Sequence, residues 1–157
     1  MSVNLFDGEF YQTVNPDLPA AGLTTDKKLF KHLQNYGLSE NRRFSPLIDL
    51  NYYQENNADL TSFNHQELFQ HLQKYGVAEG RACSPLIDLN FYRSNYADLA
   101  SFNNEDLFEH LRIHGIAEGR QFSPYIDLGF YLANNQDVNR AFNGDRVKAF
   151  QHLQTFG

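Results

Sequence analysis

The chain repeats itself, and this periodicity constrains the fold more than any other feature of the sequence. The segment from Ser45 to Cys83 aligns without a gap with the segment from Ser84 to Phe122, and 24 of the 39 positions are identical. Two markers extend the pattern to four copies, an aromatic pair and a histidine: Phe10-Tyr11, Tyr52-Tyr53, Phe91-Tyr92 and Phe130-Tyr131, with His32, His71, His110 and His152. Such a period is typical of repeat arrays. We predict one repeat domain over residues 1–157, with copies 1 to 4 at residues 5–44, 45–83, 84–122 and 123–157.

Each copy is predicted to contain two helices. The first begins behind an aspartate that is an N-cap candidate in every copy: Asp7, Asp49, Asp88 and Asp127. The second has an apolar stripe of helical period, formed in copy 2 by Leu68, Phe69, Leu72 and Tyr75. Its N-cap candidates stand seven residues before each histidine, at Thr25, Asn64, Asn103 and Asp145. A C-terminal glycine is predicted to end it, at Gly37, Gly76, Gly115 and Gly157.

The connections between helices are as regular as the helices. An Asn-x-Asp type turn ends the first helix, and copies 1 and 4 carry three additional residues near it, around Leu18 to Thr24 and Asn139 to Gly144, which we predict to form a loop. The linker between copies carries Glu-Gly-Arg or Glu-Asn-Arg. Because glycine and asparagine tolerate positive φ, we predict that conformation at Gly80 and Gly119.

A helix pair of this size cannot bury its own apolar face, so the copies are expected to share a core. The sequence therefore predicts an all-α fold, a short α-solenoid of four helix-turn-helix repeats. Exposed apolar faces on the two terminal copies are expected to be open to another chain.

Composition and charge exclude several classes of protein. The net charge of -6 and the absence of a basic cluster argue against a nucleic-acid partner. No apolar run approaches the roughly 20 residues that span a bilayer. The first residues lack a secretory signal, which favours a cytoplasmic location over secretion and leaves non-classical export as the alternative. The lone Cys83 occupies the position of Phe44 and Phe122, which predicts a small buried side chain.

The repeat resembles a known one in its aromatic pair, its Asn57-Ala58-Asp59-Leu60 turn and its His71-Leu72, Tyr75-Gly76 and Glu79-Gly80-Arg81 ending. It is similar to tandem repeats of bacterial, especially cyanobacterial, proteins, where they occur alone or beside hemolysin-type calcium-binding regions or glycosyltransferases. The resemblance covers essentially the whole chain and implies an accessory or interaction module without assigned catalytic residues. Copy 1 departs from the pattern at Asn41, and copy 4 stops before any Glu-Gly-Arg, which suggests a capping copy or a truncated chain.

The polar residues favour structural roles over chemistry. Equivalent histidines on stacked helices lie about 10 Å apart, too far to share a zinc ion, so His71 and His110 are expected to hydrogen-bond to the next copy. The aspartates lack the spacing of a calcium loop and are interpreted as caps and turn residues, including Asp49, Asp88 and Asp127. Arg81 and Arg120 are expected to bind helix-end carbonyls or a carboxylate of the adjacent copy. We predict no catalytic residue, no metal site and no cofactor.

Function is expected to lie in the positions that vary among copies. The longer segment of copy 4 contains Arg140 and Phe142, and surface members of the aromatic pairs flank it: Tyr52, Phe91 and Phe130. We predict a non-enzymatic protein-interaction or scaffolding module that binds a protein partner through these residues. A calcium- or glycan-associated surface module, an accessory domain of an enzyme and a homo-oligomer formed through the terminal repeats remain alternatives.

Overall fold

A computed structural model describes residues 3–156, with Phe156 described by its backbone only. Helices and turns make up these residues, and no strand occurs among them, so the all-α prediction is confirmed. The helices are α1 (Gly8–Val14), α2 (Asp17–Ala20), α3 (Asp26–His32), α4 (Leu50–Glu55), α5 (His65–His71), α6 (Leu89–Ser94), α7 (Asn104–His110), α8 (Leu128–Asn134), α9 (Gln136–Phe142) and α10 (Arg146–Phe156). Short 3₁₀ helices at Ala58–Leu60 and Ala97–Leu99 replace α2 and α9 in copies 2 and 3. No helix within residues 3–156 is long and apolar enough to cross a membrane.

The predicted aspartate caps begin the first helix of every copy. Asp49 has an extended backbone, and its carboxylate accepts a hydrogen bond of 3.0 Å from the backbone N–H of Tyr52. Asp7, Asp88 and Asp127 make the same bond to the residue three positions later. The carboxylate thereby satisfies a backbone N–H that has no partner inside the helix. This prediction is confirmed in all four copies.

The second helix also begins where the sequence predicts. Thr25, Asn64, Asn103 and Asp145 accept a hydrogen bond from the backbone N–H three residues on. In copy 2 the side chain of Glu67 returns a bond to the backbone N–H of Asn64, which completes the predicted capping box.

The second helix of copies 1 to 3 ends at the predicted glycine, but without the left-handed backbone of a C-cap. Gly37, Gly76 and Gly115 have no positive φ, and each is the last residue of a π-helical turn that continues the second helix at Leu33–Gly37, Leu72–Gly76 and Leu111–Gly115. The wider turn closes with a bond between residues five apart, as from the N–H of Val77 to the carbonyl of Leu72 at 3.1 Å. Gly157 lies outside the described residues.

The additional residues of copies 1 and 4 are mainly helical, contrary to the predicted loop. In copy 4 they lengthen the turn into α9, which is followed by Asn143 with φ 51° and Gly144 with φ 75°. In copy 1 they form α2 and the turn through Gly22. Insertion after the first helix therefore extends a helical turn, because three residues add nearly one turn of 3.6.

The chain forms two compact units, Met1–Ser84 and Pro85–Gly157, so that the boundary falls at the start of copy 3. In the first unit, the ring of Phe44 at the end of copy 1 packs edge-on against Phe69 in α5, with 5.4 Å between centroids. In the second unit, Phe122 and Phe150 make the equivalent contact at 5.1 Å. Leucines of the second helices fill both cores, including the fully buried Leu33, Leu72 and Leu111.

The linkers adopt the predicted left-handed conformation. Gly80 has φ 72° and Gly119 has φ 76°, while Asn41 takes the same place in copy 1 with φ 57°. Just beyond, the backbone N–H of Arg81 reaches the carbonyl of Gly76 at 3.0 Å. The linker thus folds back onto the π turn that precedes it.

Substitution of Gly80 tests the left-handed linker. We expect Gly80→Ala to lower the free energy of unfolding by about 1 kcal/mol, because a Cβ disfavours positive φ. Gly80→Asn should cost clearly less, since copy 1 carries Asn at this place. Urea denaturation measures both variants. Equal losses for the two variants would contradict the assignment, and Gly119 is a poorer choice because the side chain of Arg146 lies where its Cβ would stand.

Candidate functional site

A tyrosine–histidine hydrogen bond joins the two helices of every copy. In copy 2 the hydroxyl of Tyr53 in α4 lies 2.7 Å from Nδ1 of His71 in α5. The same pair recurs as Tyr11 with His32, Tyr92 with His110 and Tyr131 with His152, at 2.7 to 2.8 Å. The repeat pattern predicted a partner for His71 and His110 in the next copy. That expectation is wrong, because the partner is the second aromatic of the same copy.

The tyrosine hydroxyl explains the glycine in each π turn. A Cβ built on Gly76 would collide with the hydroxyl of Tyr53, and the counterparts Gly37 and Gly115 meet Tyr11 and Tyr92 in the same way. Only a residue without a side chain lets the hydroxyl approach the backbone this closely. We call the set Tyr53, His71 and Gly76, with its counterparts in other copies, the tyrosine lock.

Burial sets the protonation of the lock tyrosines. The side chains of Tyr11, Tyr53 and Tyr92 are fully buried, and desolvation raises the pKa of each from 10.0 to about 12. Burial also lowers the pKa of His110, with a smaller contribution from the charge of Arg120. Both shifts favour the neutral forms, which suits a hydrogen-bonded pair inside the fold.

Aromatic rings enclose the histidine of each lock. His71 lies 5.7 Å from the centroid of Phe63 and 5.5 Å from that of Tyr75. His110 has Phe102 and His114 in the equivalent places. Tyr36 and Tyr75 extend from these contacts to the surface, where both rings are exposed. The histidine thereby connects a buried hydroxyl to an exposed ring on the next turn of helix.

An arginine clamp fixes the linker of copies 1 to 3. In copy 2, Arg81 pairs with Glu79 at 2.6 Å and with Asp59 of the Asn-x-Asp turn at 2.8 Å, and it donates to the side-chain oxygen of Asn57 at 3.2 Å. In copy 1, Arg42 makes the same ion pairs with Asp17 and Glu40. In copy 3, Arg120 makes them with Asp98 and Glu118. The expectation that Arg81 and Arg120 pair with a carboxylate of the adjacent copy is wrong, because all their ion-pair partners within residues 3–156 belong to the same copy.

The clamp also accounts for the turn aspartates. A hydrogen bond from the arginine holds the pKa of Asp17, Asp59 and Asp98 below its usual value. These carboxylates are exposed, so each pair has modest energetic weight and its main effect is geometric. The clamp closes the turn between the two helices onto the linker that leaves the second helix.

The predicted contact residues differ in exposure. Phe130 is 69% exposed and Arg140 is also exposed, whereas Tyr52 and Phe91 are half-buried. Phe142 is also one of the predicted partner contacts. It is half-buried, packs on the cluster of Leu132, Val138 and Ala149, and lies 5.8 Å from the ring of His152, where it takes the place of Phe63.

Tyr125, which is 83% exposed, is not among the contact residues predicted from the sequence. It lies in the turn before α8, two residues ahead of the cap Asp127. Leu47 and Leu86 hold this position in copies 2 and 3, and Leu47 is buried. The change from leucine to tyrosine was the available signal. Tyr125 and Phe130, one on each side of the Asp127 cap, form what we call the terminal aromatic patch.

A shallow groove in the first unit has a polar wall. Its volume is about 270 Å³, and Asn41, Asn51 and His65 line one side. Asn51 donates to the side-chain oxygen of Asn41 at 3.3 Å, and its own oxygen lies 3.0 Å from Nε2 of His65. These groups bond to one another. Within residues 3–156, no cluster of three or more histidine, cysteine, aspartate or glutamate side chains could hold a metal ion.

Cys83 is buried as predicted, at the end of the copy 2 linker. Desolvation raises the pKa of its thiol from 9.0 to about 12. The thiol therefore stays protonated near neutral pH, and it points a weak hydrogen bond at the carbonyl of Leu47.

No protein-family model, curated protein or solved structure matches the chain. Function is therefore inferred from the contacts and exposed surfaces of its own residues.

A double-mutant cycle tests the tyrosine lock. Gly76→Ala should lower the free energy of unfolding by about 2 kcal/mol, because its methyl group overpacks the site of the Tyr53 hydroxyl. In a Tyr53→Phe background the same change should cost about 1 kcal/mol less, since the hydroxyl is gone while the ring remains close. Urea unfolding of the four proteins gives the coupling.

The matched control for the cycle is Gly129→Ala in α8. Gly129 is exposed, and the only described atom outside its immediate neighbours near a new Cβ is a carboxylate oxygen of Asp127 at 3.3 Å. Alanine also favours helix, so this variant should unfold no more easily than the wild type. The lock would be refuted if the losses of unfolding free energy caused by Gly76→Ala and Tyr53→Phe simply add in the double variant.

The lock also predicts alkaline instability. Because the folded state keeps the proton of Tyr53 up to a pKa of about 12 while the unfolded state loses it near 10.0, the free energy of unfolding should fall as the pH rises between these values. Denaturant unfolding across this range should show a shallower fall for Tyr53→Phe. The exposed variant Tyr75→Phe controls for loss of a hydroxyl. Identical slopes for Tyr53→Phe and wild type would contradict the prediction.

Proposed function

We propose that this chain is a non-enzymatic interaction or scaffolding module, in which four stacked copies of a helix pair form a short α-solenoid. We further propose that it binds a protein partner through the terminal aromatic patch, Tyr125 and Phe130. The sequence periodicity, the contacts within each unit and the exposure of these two rings support this function.

Recurring bonds within each copy support the repeat arrangement. The backbone N–H of Asp7 donates to the carbonyl of Phe44 at 3.1 Å. In the same way, the N–H of Asp49 donates to the carbonyl of Cys83, and that of Asp88 donates to the carbonyl of Phe122. Each of copies 1 to 3 is thus closed by a bond between its beginning and its end. Such closure makes a copy a natural unit for stacking, because it presents the same faces each time.

The use of the polar residues supports a non-enzymatic role. Catalysis needs a nucleophile, acid or base that can reach a substrate. The tyrosine lock engages Nδ1 of the histidine in each copy, the arginine clamp engages the turn aspartates, and the thiol of Cys83 is buried and protonated. The lock histidines and the turn aspartates thus take part in contacts that hold each copy together, and the thiol is not accessible to a substrate.

The exposure of the terminal aromatic patch is the observation that carries the proposal. Phe130 is 69% exposed and Tyr125 is 83% exposed, while their counterparts in copy 1, Phe10 and Leu5, are buried. Large exposed aromatic side chains are costly in water and are enriched at the centres of protein interfaces. A protein partner that covers these rings would recover the apolar burial that the same positions have in copy 1.

A glycan is a second candidate partner, and the exposed rings of Tyr36 and Tyr75 favour it. Each stands one helical turn after the lock histidine and contacts its ring in a tilted arrangement, with 5.5 Å between centroids. The lysine of copy 2, Lys74, lies 5.1 Å from the centroid of Tyr75. An aromatic ring held at the surface by a half-buried histidine can stack on the apolar face of a sugar.

Capture with variants tests the proposed function. The chain carrying Tyr125→Ser and Phe130→Asp should retain its helical circular dichroism and lose a protein that the wild type captures from its source cell, with binding weakened about tenfold or more. Ile113→Asp is the matched control, because Ile113 is also exposed but lies outside the patch.

Two results would contradict this assignment. Undiminished capture by the patch variant would show that the protein-binding surface does not include Tyr125 and Phe130. The second candidate would instead be supported if the chain binds a glycan, if Tyr36→Ser and Tyr75→Ser abolish that binding, and if the patch variant leaves it unchanged.

A further inference from the structure

Copies 1 and 2 form a polar groove where they meet in the first unit. It consists of two pockets, of about 270 and 250 Å³, which adjoin because His65 lines both. Copy 1 contributes Ser39 and Asn41, and copy 2 contributes Asn51, Phe63, His65 and Gln66. We call these six residues the seam groove. The two pockets together fall within the range of volumes that small-molecule sites have, about 300–1,000 Å³.

A chain of hydrogen bonds fixes three side chains of the first pocket. The side-chain amide of Asn51 donates to the oxygen of Asn41 at 3.3 Å, so its own oxygen faces Nε2 of His65 at 3.0 Å. Nε2 is therefore the donor in that bond, and Nδ1 of His65 carries the lone pair. Neither this Nδ1 nor the side-chain N–H groups of Asn41 have a partner among residues 3–156. The chain thus holds one donor and one acceptor in place before a ligand binds, which lowers the entropic cost of binding.

The linker turn does not require the side chain of Asn41. Asn41 adopts φ 57°, and glycine makes the same turn in copies 2 and 3, at Gly80 with φ 72° and at Gly119 with φ 76°. A Cβ makes this conformation less favourable than it is for glycine. The Asn41 side chain therefore contributes to the contact with Asn51 and to the groove, and not to the turn.

The corresponding place in the second unit is filled by an arginine. Arg146 is the counterpart of His65, and Gly119 is the counterpart of Asn41. Nε of Arg146 lies only 2.6 Å from the position that a Cβ on Gly119 would take. The long side chain thus covers the glycine in the second unit, whereas the shorter side chains of the first unit bond to one another and leave the groove open.

The charged side chains that line the first pocket already have partners. Arg42 is held in the arginine clamp, and the carboxylate of Asp49 caps α4. The guanidinium group of Arg43 lies 5.3 Å from the ring centroid of Phe10. The groups of the hydrogen-bonded chain that remain for a ligand are therefore an amide donor and an imidazole acceptor, which do not select for an ion.

The second pocket adds an aromatic wall. Phe63 is half-buried, and its ring meets that of the lock residue His71 edge-on, with 5.7 Å between centroids. In the same pocket, Gln66 donates its side-chain N–H to the carbonyl of Gln34, so its side-chain oxygen remains an acceptor. An apolar ring next to uncharged donors and acceptors suits a ligand that has a C–H face and several hydroxyl groups.

We propose that the seam groove binds a neutral saccharide. A hydroxyl group both donates and accepts, so the hydroxyls of a sugar can bond to the donor of Asn41 and to the acceptors of His65 and Gln66. The C–H face of the sugar can cover the ring of Phe63. This site is separate from the protein-binding surface proposed above, because no residue of the terminal aromatic patch lines the groove.

A peptide fits the groove less well than a sugar. Peptides are commonly recognised by a sheet edge, which supplies a row of main-chain bonds, or by an apolar groove that receives a helix. No strand occurs among residues 3–156, and the hydrogen-bonded chain of Asn41, Asn51 and His65 makes one wall of the groove polar.

Transfer of the second unit's residues into the groove tests the proposal. The variant Asn41→Gly with His65→Arg, called the filled variant, carries the same pair as Gly119 and Arg146 and should fold with its groove covered. Asn41→Gly alone is the milder variant, because copies 2 and 3 already carry glycine at this place. The matched control is the patch variant, Tyr125→Ser with Phe130→Asp, which changes exposed residues outside the groove.

Nuclear magnetic resonance of isotope-labelled protein measures binding through the side-chain amide signals of Asn51 and Gln66. The probes are glucose, mannose, galactose, N-acetylglucosamine and disaccharides of these sugars. Inorganic phosphate and N-acetylated tripeptide amides serve as probes of the other ligand classes. Circular dichroism checks that each variant keeps its helices.

We expect at least one saccharide to shift both signals saturably, with a dissociation constant of about 1 mM. The filled variant should weaken this binding about tenfold or more, whereas the patch variant should bind like the wild type. Asn41→Gly alone should weaken binding by a smaller factor, because the donor is lost while the pocket stays open.

Three outcomes would overturn the proposal. These are saccharides that leave both signals unchanged, a helical filled variant that binds as tightly as the wild type, and a groove that takes phosphate or the tripeptides but no saccharide. Saccharide binding that only Tyr36→Ser and Tyr75→Ser abolish would also overturn it, and would place the sugar on the exposed rings. Protein capture through the terminal aromatic patch is measured independently, so each proposal can fail while the other stands.

Discussion

The position of the tyrosine hydroxyl between a histidine ring and a helix backbone is the constraint on which each copy depends. Tyr53 reaches from the first helix into the second, where His71 holds its hydroxyl and Gly76 leaves room for it. The wider π turn brings the glycine under the hydroxyl. The linker that follows then folds back through the left-handed Gly80 and is held by Arg81. The lock, the left-handed linker and the clamp thus follow one another along a single copy.

Local signals in the sequence were sufficient for the helices and their caps. The aspartate caps, the second N-caps and the positive φ of Gly80 and Gly119 each depend on a few neighbouring residues, so a single copy contains the necessary information. The fourfold recurrence in the sequence then shows which of these residues the fold needs.

Features that depend on contacts distant in the chain could not be predicted. Gly76 has the sequence context of a helix-ending glycine, and only the approach of Tyr53 reveals its steric role. His71 and Arg81 were rightly assigned structural partners but in the wrong copy, since a strict period does not distinguish a bond within a copy from a bond to the next. The exposure of single aromatic side chains could not be predicted for the same reason. Phe142 is packed on its own unit, whereas Tyr125 extends into solvent.

The bonds that define a copy also determine how such a chain folds. The lock and clamp join residues 18 to 25 positions apart, and no copy needs a distant segment to complete them. Loops of this length close quickly and at small entropic cost. The lock and the clamp of each of copies 1 to 3 can therefore form locally, without a contact to another copy. A gene that gains or loses one period would encode a chain in which every remaining lock and clamp still has its partners within its own copy.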